Sequence, residues 1–296
     1  MREFLGKRPR WNWRYKAGMS LRLVKSPEAP KMTIVWDIEV FLFCKIGGRL
    51  VPIVAQARYE YNETPLKHPL NRMNSADFTL FLVRHAQSAN NAKPESQRIP
   101  DPPLTAMGLE QAQALADFAT GLAPSHVFTS PFLRTLQTTA PLVDLLGITP
   151  FVKADLYEQG GCYQGYRIDE RSAHPGMGRS DIQRLHPNWQ IDPAIEESGW
   201  NKLKHYESLV QARQRALGVA NWLSCHRWPC DSRVMLVIHA DFKFRMLEAL
   251  LGDLDIEHKL DSVINTACTT LRFHQGDWSL ESFNAHTHLN ADMVTR

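Results

Sequence analysis

From residue 77 onward, short apolar runs alternate with stretches of helical period, and that alternation admits few folds. Residues 78–83, 126–129, 151–152 and 234–238 read as strands. Leu109, Ala112, Leu115, Ala116 and Ala119 recur at helical spacing after Thr105 and Gly108; Leu133, Leu136, Ala140, Val143 and Leu146 do the same. Residues 209–223 and 242–251 continue the helical pattern, and 269–273 and 278–283 read as strands joined at Gln275-Gly276. Strand–helix alternation produces a mostly parallel sheet, because each crossover returns through a helix packed on one face. The expected fold class is α/β: a three-layer sandwich, a mostly parallel sheet with helices on both faces. Residues 157–205 carry no period, are rich in Gly, Pro, His and Trp, and read as irregular.

Charge divides the chain at the same place. Residues 1–72 sum to +8 and residues 73–296 to −5, so the basic character belongs to the front segment. An acidic body argues against nucleic acid as the main partner, and any anion it binds needs a local cluster of cations. Residues 34–46 are apolar but contain Asp37, Glu39 and Lys45, too short and too charged for a membrane span. With 50–57 they predict a β-hairpin turning at Gly47-Gly48. Two readings of 1–72 stay open: a basic N-terminal extension of its own, or translation from a mis-assigned start ahead of Met73. Five scattered cysteines give no disulfide framework and predict a reducing, cytoplasmic setting. Cys225 and Cys230 lack the second pair that a zinc site needs.

The polar residues that end the predicted strands carry the chemistry. Arg84-His85 follow the first, Thr129-Ser130 and then Arg134 the second, Glu158 the third and His239 the last. Parallel strands bring their carboxyl ends to one edge, where open α/β sheets bind ligands. A guanidinium beside an imidazole at that edge suits a phosphoryl group: one holds its oxygens, the other can attack its phosphorus.

Arg84-His85-Ala86-x-Ser88-x-x-Asn91 resembles the Arg-His-Gly signature of the histidine phosphatase (phosphoglycerate mutase-like) superfamily. Leu104-Thr105-x-x-Gly108-x-x-Gln111-Ala112, Ser130-Pro131-x-x-Arg134-Thr135-x-Gln137-Thr138, His239 and Asn284-x-x-x-His288-Leu289 are similar to the motifs that follow, in order. Ala86 and Ala240 stand where the most familiar sequences have glycine, and Asn284-Ala285 replaces Asn-Asp.

The resemblance implies a catalytic domain over 73–296 with a cap insertion at about 157–205, and His85 as nucleophile, Glu158 as general acid and base, and His239 as second catalytic histidine. Arg84, Asn91, Arg134 and Ser88 are the implied phosphate-binding residues; for Ser88, capping of local backbone is an equal reading. No metal and no cofactor are implied, because the arginines and histidines supply the charge. Asp155, Asp169 and Glu170 compete with Glu158 as the acid, and His286 and His288 read as structural. The expected activity is hydrolysis of a small phosphate monoester through a phosphohistidine. The alternatives are a cofactor-dependent phosphoglycerate mutase, disfavoured because no mutase-specific segment is present, and a non-catalytic relative that binds a phosphorylated ligand. Substrate identity and oligomeric state are not legible. Tyr163, Arg167, Arg171, Arg179, Trp200, Lys202 and Lys204 are the cap residues available to grip a second anion or a ring.

Overall fold

The computed structural model describes residues 77–296 except 166, 168 and 169, together with the backbone of three strands within residues 15–62. Met1–Arg72 and Met73–Arg296 form two compact units. In the first, β1 (Tyr15–Val24), β2 (Thr33–Ile46) and β3 (Arg49–Asn62) make an antiparallel sheet in that order, with Ile46 opposite Arg49. The hairpin expected there is present as backbone. Its turn at Gly47-Gly48 and all side chains of this unit lie outside the described residues.

The second unit is built on a seven-stranded sheet. Its strands are β4 (Phe78–Arg84), β5 (His126–Thr129), β6 (Phe151–Val152), β9 (Gln190–Ile191), β10 (Ser232–Ile238), β11 (Cys268–His274) and β12 (Asp277–Ala285). Their spatial order is β12-β11-β4-β10-β5-β6-β9, and a separate small hairpin pairs β7 (Tyr163–Gln164) with β8 (Ser172–Ala173). The five strands from β4 to β9 run parallel; β11 is antiparallel to both of its neighbours, β4 and β12, and is the one reversed strand of this sheet.

Central β4 and β10 are apolar along nearly their whole length because both their faces are covered. Alternate side chains go to opposite layers. Leu80, Leu82 and Leu236 join a core with α4 (Leu209–Cys225) and α5 (Ala240–Leu251). Phe81, Val83 and Val237 join one with α1 (Ala106–Leu122) and α2 (Leu133–Leu146). That is the three-layer sandwich.

Local sequence sets the helix ends. The Thr105 hydroxyl accepts from Gly108 N at 3.0 Å and starts α1, while Ser208 and Gln211 box the start of α4. Gly147 and Gly252, both left-handed, stop α2 and α5. The β11–β12 turn falls at Gln275 (φ 53°) and Gly276 (φ 92°), the two positive-φ positions that a tight hairpin turn needs.

The segment 157–205 is more structured than its composition predicts. It contains the β7–β8 hairpin, α3 (Arg179–Leu185) and β9, and β9 is the edge strand of the main sheet. Two-residue strands are too short to show a period, which is why the sequence reads as featureless there. A short α6 (Ile256–Lys259) precedes β11. No helix among the described residues is long and apolar enough to cross a membrane.

Candidate active site

The register of the parallel strands does the first part of the assembly. Arg84 pairs with Ile238 and Thr129 with Val237, so the residues that follow β4, β10 and β5 emerge side by side. His85, Arg134 and His239 are all buried, at 4%, 5% and 0% exposure.

His85 is fixed by its backbone and its ring. Its N–H donates to Ile238 O at 2.9 Å and its carbonyl accepts from Asn265 Nδ2 at 2.9 Å. Ring Nδ1 lies 2.7 Å from Ala86 O, and that carbonyl can only accept, so Nδ1 carries the proton. The lone pair therefore sits on Nε2, where Arg134 Nε donates at 3.1 Å. Burial, then Arg134 and Arg84, hold the imidazole well below its ordinary pKa, so it is neutral.

Arg134 also reaches the second histidine: its Nη2 is 3.1 Å from His239 Nδ1. A guanidinium has no acceptor, so His239 Nδ1 accepts and its Nε2 donates to Ser130 Oγ at 2.8 Å. His239 too is held well below its ordinary pKa by burial, by Arg134 and by His85. The Phe132 ring closes this corner, edge-on to His239 and 4.0 Å under Arg134.

Three further expected residues lie around this centre. Arg84 Nη1 donates to Val263 O at 2.5 Å, and its buried Nε has no hydrogen-bond partner. Asn91 Oδ1 accepts from Ser88 N and Ser88 Oγ at 3.1 and 2.9 Å, which leaves its Nδ2 as the donor to offer. Ser88 thus spends its hydroxyl on Asn91, so its position favours orienting that amide over touching phosphate.

Glu158 arrives from the loop after β6 and meets the start of α5. Its carboxylate accepts from Gln159 N at 2.8 Å, Phe242 N at 2.9 Å and Asp241 N at 3.4 Å. Burial and the neighbouring Asp241 raise its pKa to about 7 despite those donors. Asp155 pairs with Lys153 at 3.1 Å and Glu170 with Arg167 at 3.8 Å; Asp169 lies outside the described residues.

Sequence reasoning missed the residues that support these groups. Thr138 Oγ1 accepts from Ala86 N, and Gln111 Oε1 accepts from Gln87 N. Asp101 accepts from Leu133 N at 2.9 Å, and burial raises its pKa to about 6 beside Arg134. The Glu158 loop is clamped by a buried pair, Arg215 and Glu207, 2.7 Å apart. Arg215 donates to the carbonyls of Asp155 and Tyr157, while Glu207 accepts from Tyr157 Oη and Gly160 N. Gln111 and Thr138 lie inside motifs already singled out. Nothing in the sequence separates Glu207, just before α4, or Arg215, inside it, from the other charges along that helix. His288 packs on Phe118 and contacts Thr266 Oγ1, and His286 contacts Asn284 O, each a structural setting.

The histidine phosphatase superfamily (branch 1) model matches residues 80–286, a span that takes in every residue of this centre. The chain belongs to that superfamily. A probable phosphoglycerate mutase GpmB from Cronobacter sakazakii is 26% identical over 227 residues, covering 72% of this chain and 95% of that protein. The PE-PGRS family protein PE_PGRS11 of Mycobacterium tuberculosis is 40% identical over 87 residues. That match covers 29% of this chain and 15% of that protein's length. Among solved structures, a mycobacterial glucosyl-3-phosphoglycerate phosphatase, Rv2419c, complexed with VO3 superposes with a TM-score of 0.50 at 22% identity. It covers 70% of this chain and 99% of its own. A phosphoserine phosphatase from Entamoeba histolytica in complex with 3-phosphoglyceric acid gives 0.51 at 20% identity, over 72% and 100% of the two chains. At that identity the likeness is one of fold.

Proposed function

We propose that this protein hydrolyses small phosphate monoesters through a covalent phosphohistidine on His85. The observation that carries the reading is the state of that imidazole. It is neutral, its proton is committed to Ala86 O, and its Nε2 lone pair faces Arg134, with Arg84 close enough to depress its pKa.

The substrate's phosphoryl group displaces Arg134 Nε from that lone pair. Arg134 and Arg84 then take its oxygens, with Asn91 Nδ2 as a further donor. Nε2 attacks phosphorus in line with the ester oxygen. Glu158, protonated below about pH 7, delivers its proton to the departing alkoxide. The carboxylate so formed takes a proton from water as that water attacks the phosphohistidine, and phosphate leaves. A pKa near 7 serves both halves. His239 starts neutral; a dianionic phosphoryl group beside it raises its pKa and favours a cation that adds to the clamp.

With two guanidiniums, and His239 once protonated, supplying the positive charge, the proposed reaction needs no metal and no cofactor. Hydrolysis is preferred over mutase chemistry because no mutase-specific segment follows the shared motifs. The solved structures of similar fold named above are phosphatases, while GpmB keeps the mutase reading as the alternative. The four described cysteines are free thiols, which supports a reducing, cytoplasmic setting. We assign catalysis to residues 73–296, so a chain beginning at Met73 is expected to keep kcat/KM within about twofold. The deciding experiment is incubation with p-nitrophenyl phosphate in the presence of a chelator. Release of phosphate is expected, and phosphoryl transfer to an acceptor without release would turn the assignment to a mutase.

A further inference from the structure

The charged residues of the cap divide by what they already touch. Arg179 donates to the carbonyls of Ile191, Asp192 and Ile195 and braces the cap itself. Lys202 is paired with Glu196 at 2.7 Å, and exposed Arg167 lies 3.8 Å from Glu170. Arg171 is different. Among the described residues it has no carboxylate partner, and its Nε is buried without a hydrogen-bond acceptor. Its guanidinium lies 4.4 Å from the Tyr206 ring centre and 5.1 Å from that of Tyr163. A second guanidinium, Arg98 from the loop after β4, lies 4.7 Å over Tyr163, and the two tyrosine rings meet edge to face at 4.9 Å. The nearest counter-charge to Arg98 is Glu95, at 3.5 Å and 69% exposed.

This stack adjoins the catalytic centre at both ends. Gly160, two residues after Glu158, packs so closely on Tyr206 that a Cβ there would come within 2.3 Å of the ring. Glu207 N donates to Gly160 O at 3.3 Å. At the other end Cys162 Sγ, beside Tyr163, donates to Pro100 O at 3.5 Å, and Asp101 Oδ1 accepts from Leu133 N, next to Arg134, at 2.9 Å. The stack therefore lies between the loop that carries Glu158 and the segment that leads to Arg134.

A part-buried guanidinium with an unanswered N–H is costly unless a ligand supplies the acceptor. Two such cations on one aromatic stack repel each other, and a neutral hydroxyl would satisfy the donors while leaving the charge uncompensated. We propose that Arg171 and Arg98 form a subsite for a second anionic group, so that the preferred substrates are phosphate monoesters whose leaving alcohol carries a carboxylate or a second phosphate. The proposal rests on the phosphatase reading above.

The test compares 4-carboxyphenyl phosphate, 1,4-phenylene bisphosphate and the neutral 4-carbamoylphenyl phosphate on the full chain. The subsite predicts kcat/KM for the better of the two anionic compounds at least about tenfold above the carbamoyl compound, mainly through KM. Which of the two is preferred separates carboxylate from phosphate. In Arg171→Gln the ratio falls toward one, Arg171→Lys restores part of it, and the surface control Lys202→Gln leaves it unchanged. Equal KM values in the wild type, or an Arg171→Gln variant that slows all three compounds alike, would overturn the subsite. Calorimetric titration of the same compounds into His85→Ala reads the preference without turnover. Equal binding there also overturns the subsite, whereas absent turnover with unequal binding overturns only the phosphatase reading.

Discussion

His85 is bonded to Arg134 and Glu158 lies close enough to act on the charge of that same arginine, yet the chain holds the two by different means. His85 stands at the end of a seven-residue strand in the middle of the sheet, with its ring, N–H and carbonyl each bonded to buried partners. Glu158 follows a two-residue strand and hangs on a loop, secured by the first turn of α5 and, from outside, by Arg215 and Glu207. In the proposed reaction the sheet offers a buried, rigid place for the phosphoryl group, whose geometry is the same in every ester. In the same proposal the loop and cap take the leaving group, which varies. A fold that separates the two can change what it accepts without disturbing how it transfers phosphorus.

Substitutions at the two ends should therefore fail in different ways. His85→Ala should abolish turnover of every phosphate ester, by on the order of 10⁴-fold or more in kcat, because no other nucleophile is positioned. Arg134→Ala should cost about 10²–10³-fold, the usual loss for one preorganised donor to the transition state. It should also raise the pKa of His85, since Arg134 is the largest charge depressing it. Activity should then disappear at mildly acidic pH, where the wild type stays active; a pH–rate profile reads this directly.

Glu158→Gln should be selective. Alkyl phosphates should slow by about 10²–10⁴-fold, while p-nitrophenyl phosphate, whose leaving group needs no proton, should slow far less. Because Glu158 is protonated below about pH 7, kcat/KM of the wild type on alkyl esters should fall as pH rises past 7, and that limb should vanish in the variant. Uniform slowing in Glu158→Gln, with selective slowing in Asp101→Asn, would move the acid to Asp101. Glu207→Gln should show the Glu158 pattern in weaker form, about tenfold on alkyl phosphates, since it loosens the loop without removing the acid. It should also lower stability, by about 3–5 kcal/mol for breaking a buried ion pair, measurable by denaturant unfolding. Equal slowing of good and poor leaving groups would show that the clamp does not position Glu158.

The same contrast decided what could be read from the sequence. Arg84, His85, Ser88 and Asn91 lie within eight consecutive positions, and Arg134 sits among its own neighbours in a helix of clear period. Residues set by continuous elements keep their spacing, so order and chemistry are visible in the chain. The Glu158 support is assembled from separate places: Glu207 before α4, Arg215 inside it, Asp241 at the start of α5. None has local context that sets it apart, and only the folded geometry brings them together. The cap was misjudged for a related reason. Strands β7, β8 and β9 are two residues each, below the length at which alternation can be recognised, so a segment that completes the sheet edge read as irregular. Ser88 shows the limit within a motif: its position left phosphate contact and capping of local backbone as equal readings, and the partner of its hydroxyl, Asn91 Oδ1, could not be read from the sequence.

The central claim is that phosphorus passes through His85 Nε2. Rapid mixing with a phosphate ester labelled at phosphorus, followed by quenching in base, tests it most directly. The account predicts label on the protein that is stable to base, labile to acid, and located on His85 by mass spectrometry of the digested chain. It predicts no label in His85→Ala and slower loss of label in Glu158→Gln, where the water loses its base. Turnover with no protein-bound phosphoryl group at any mixing time, or label that persists in His85→Ala, would contradict it.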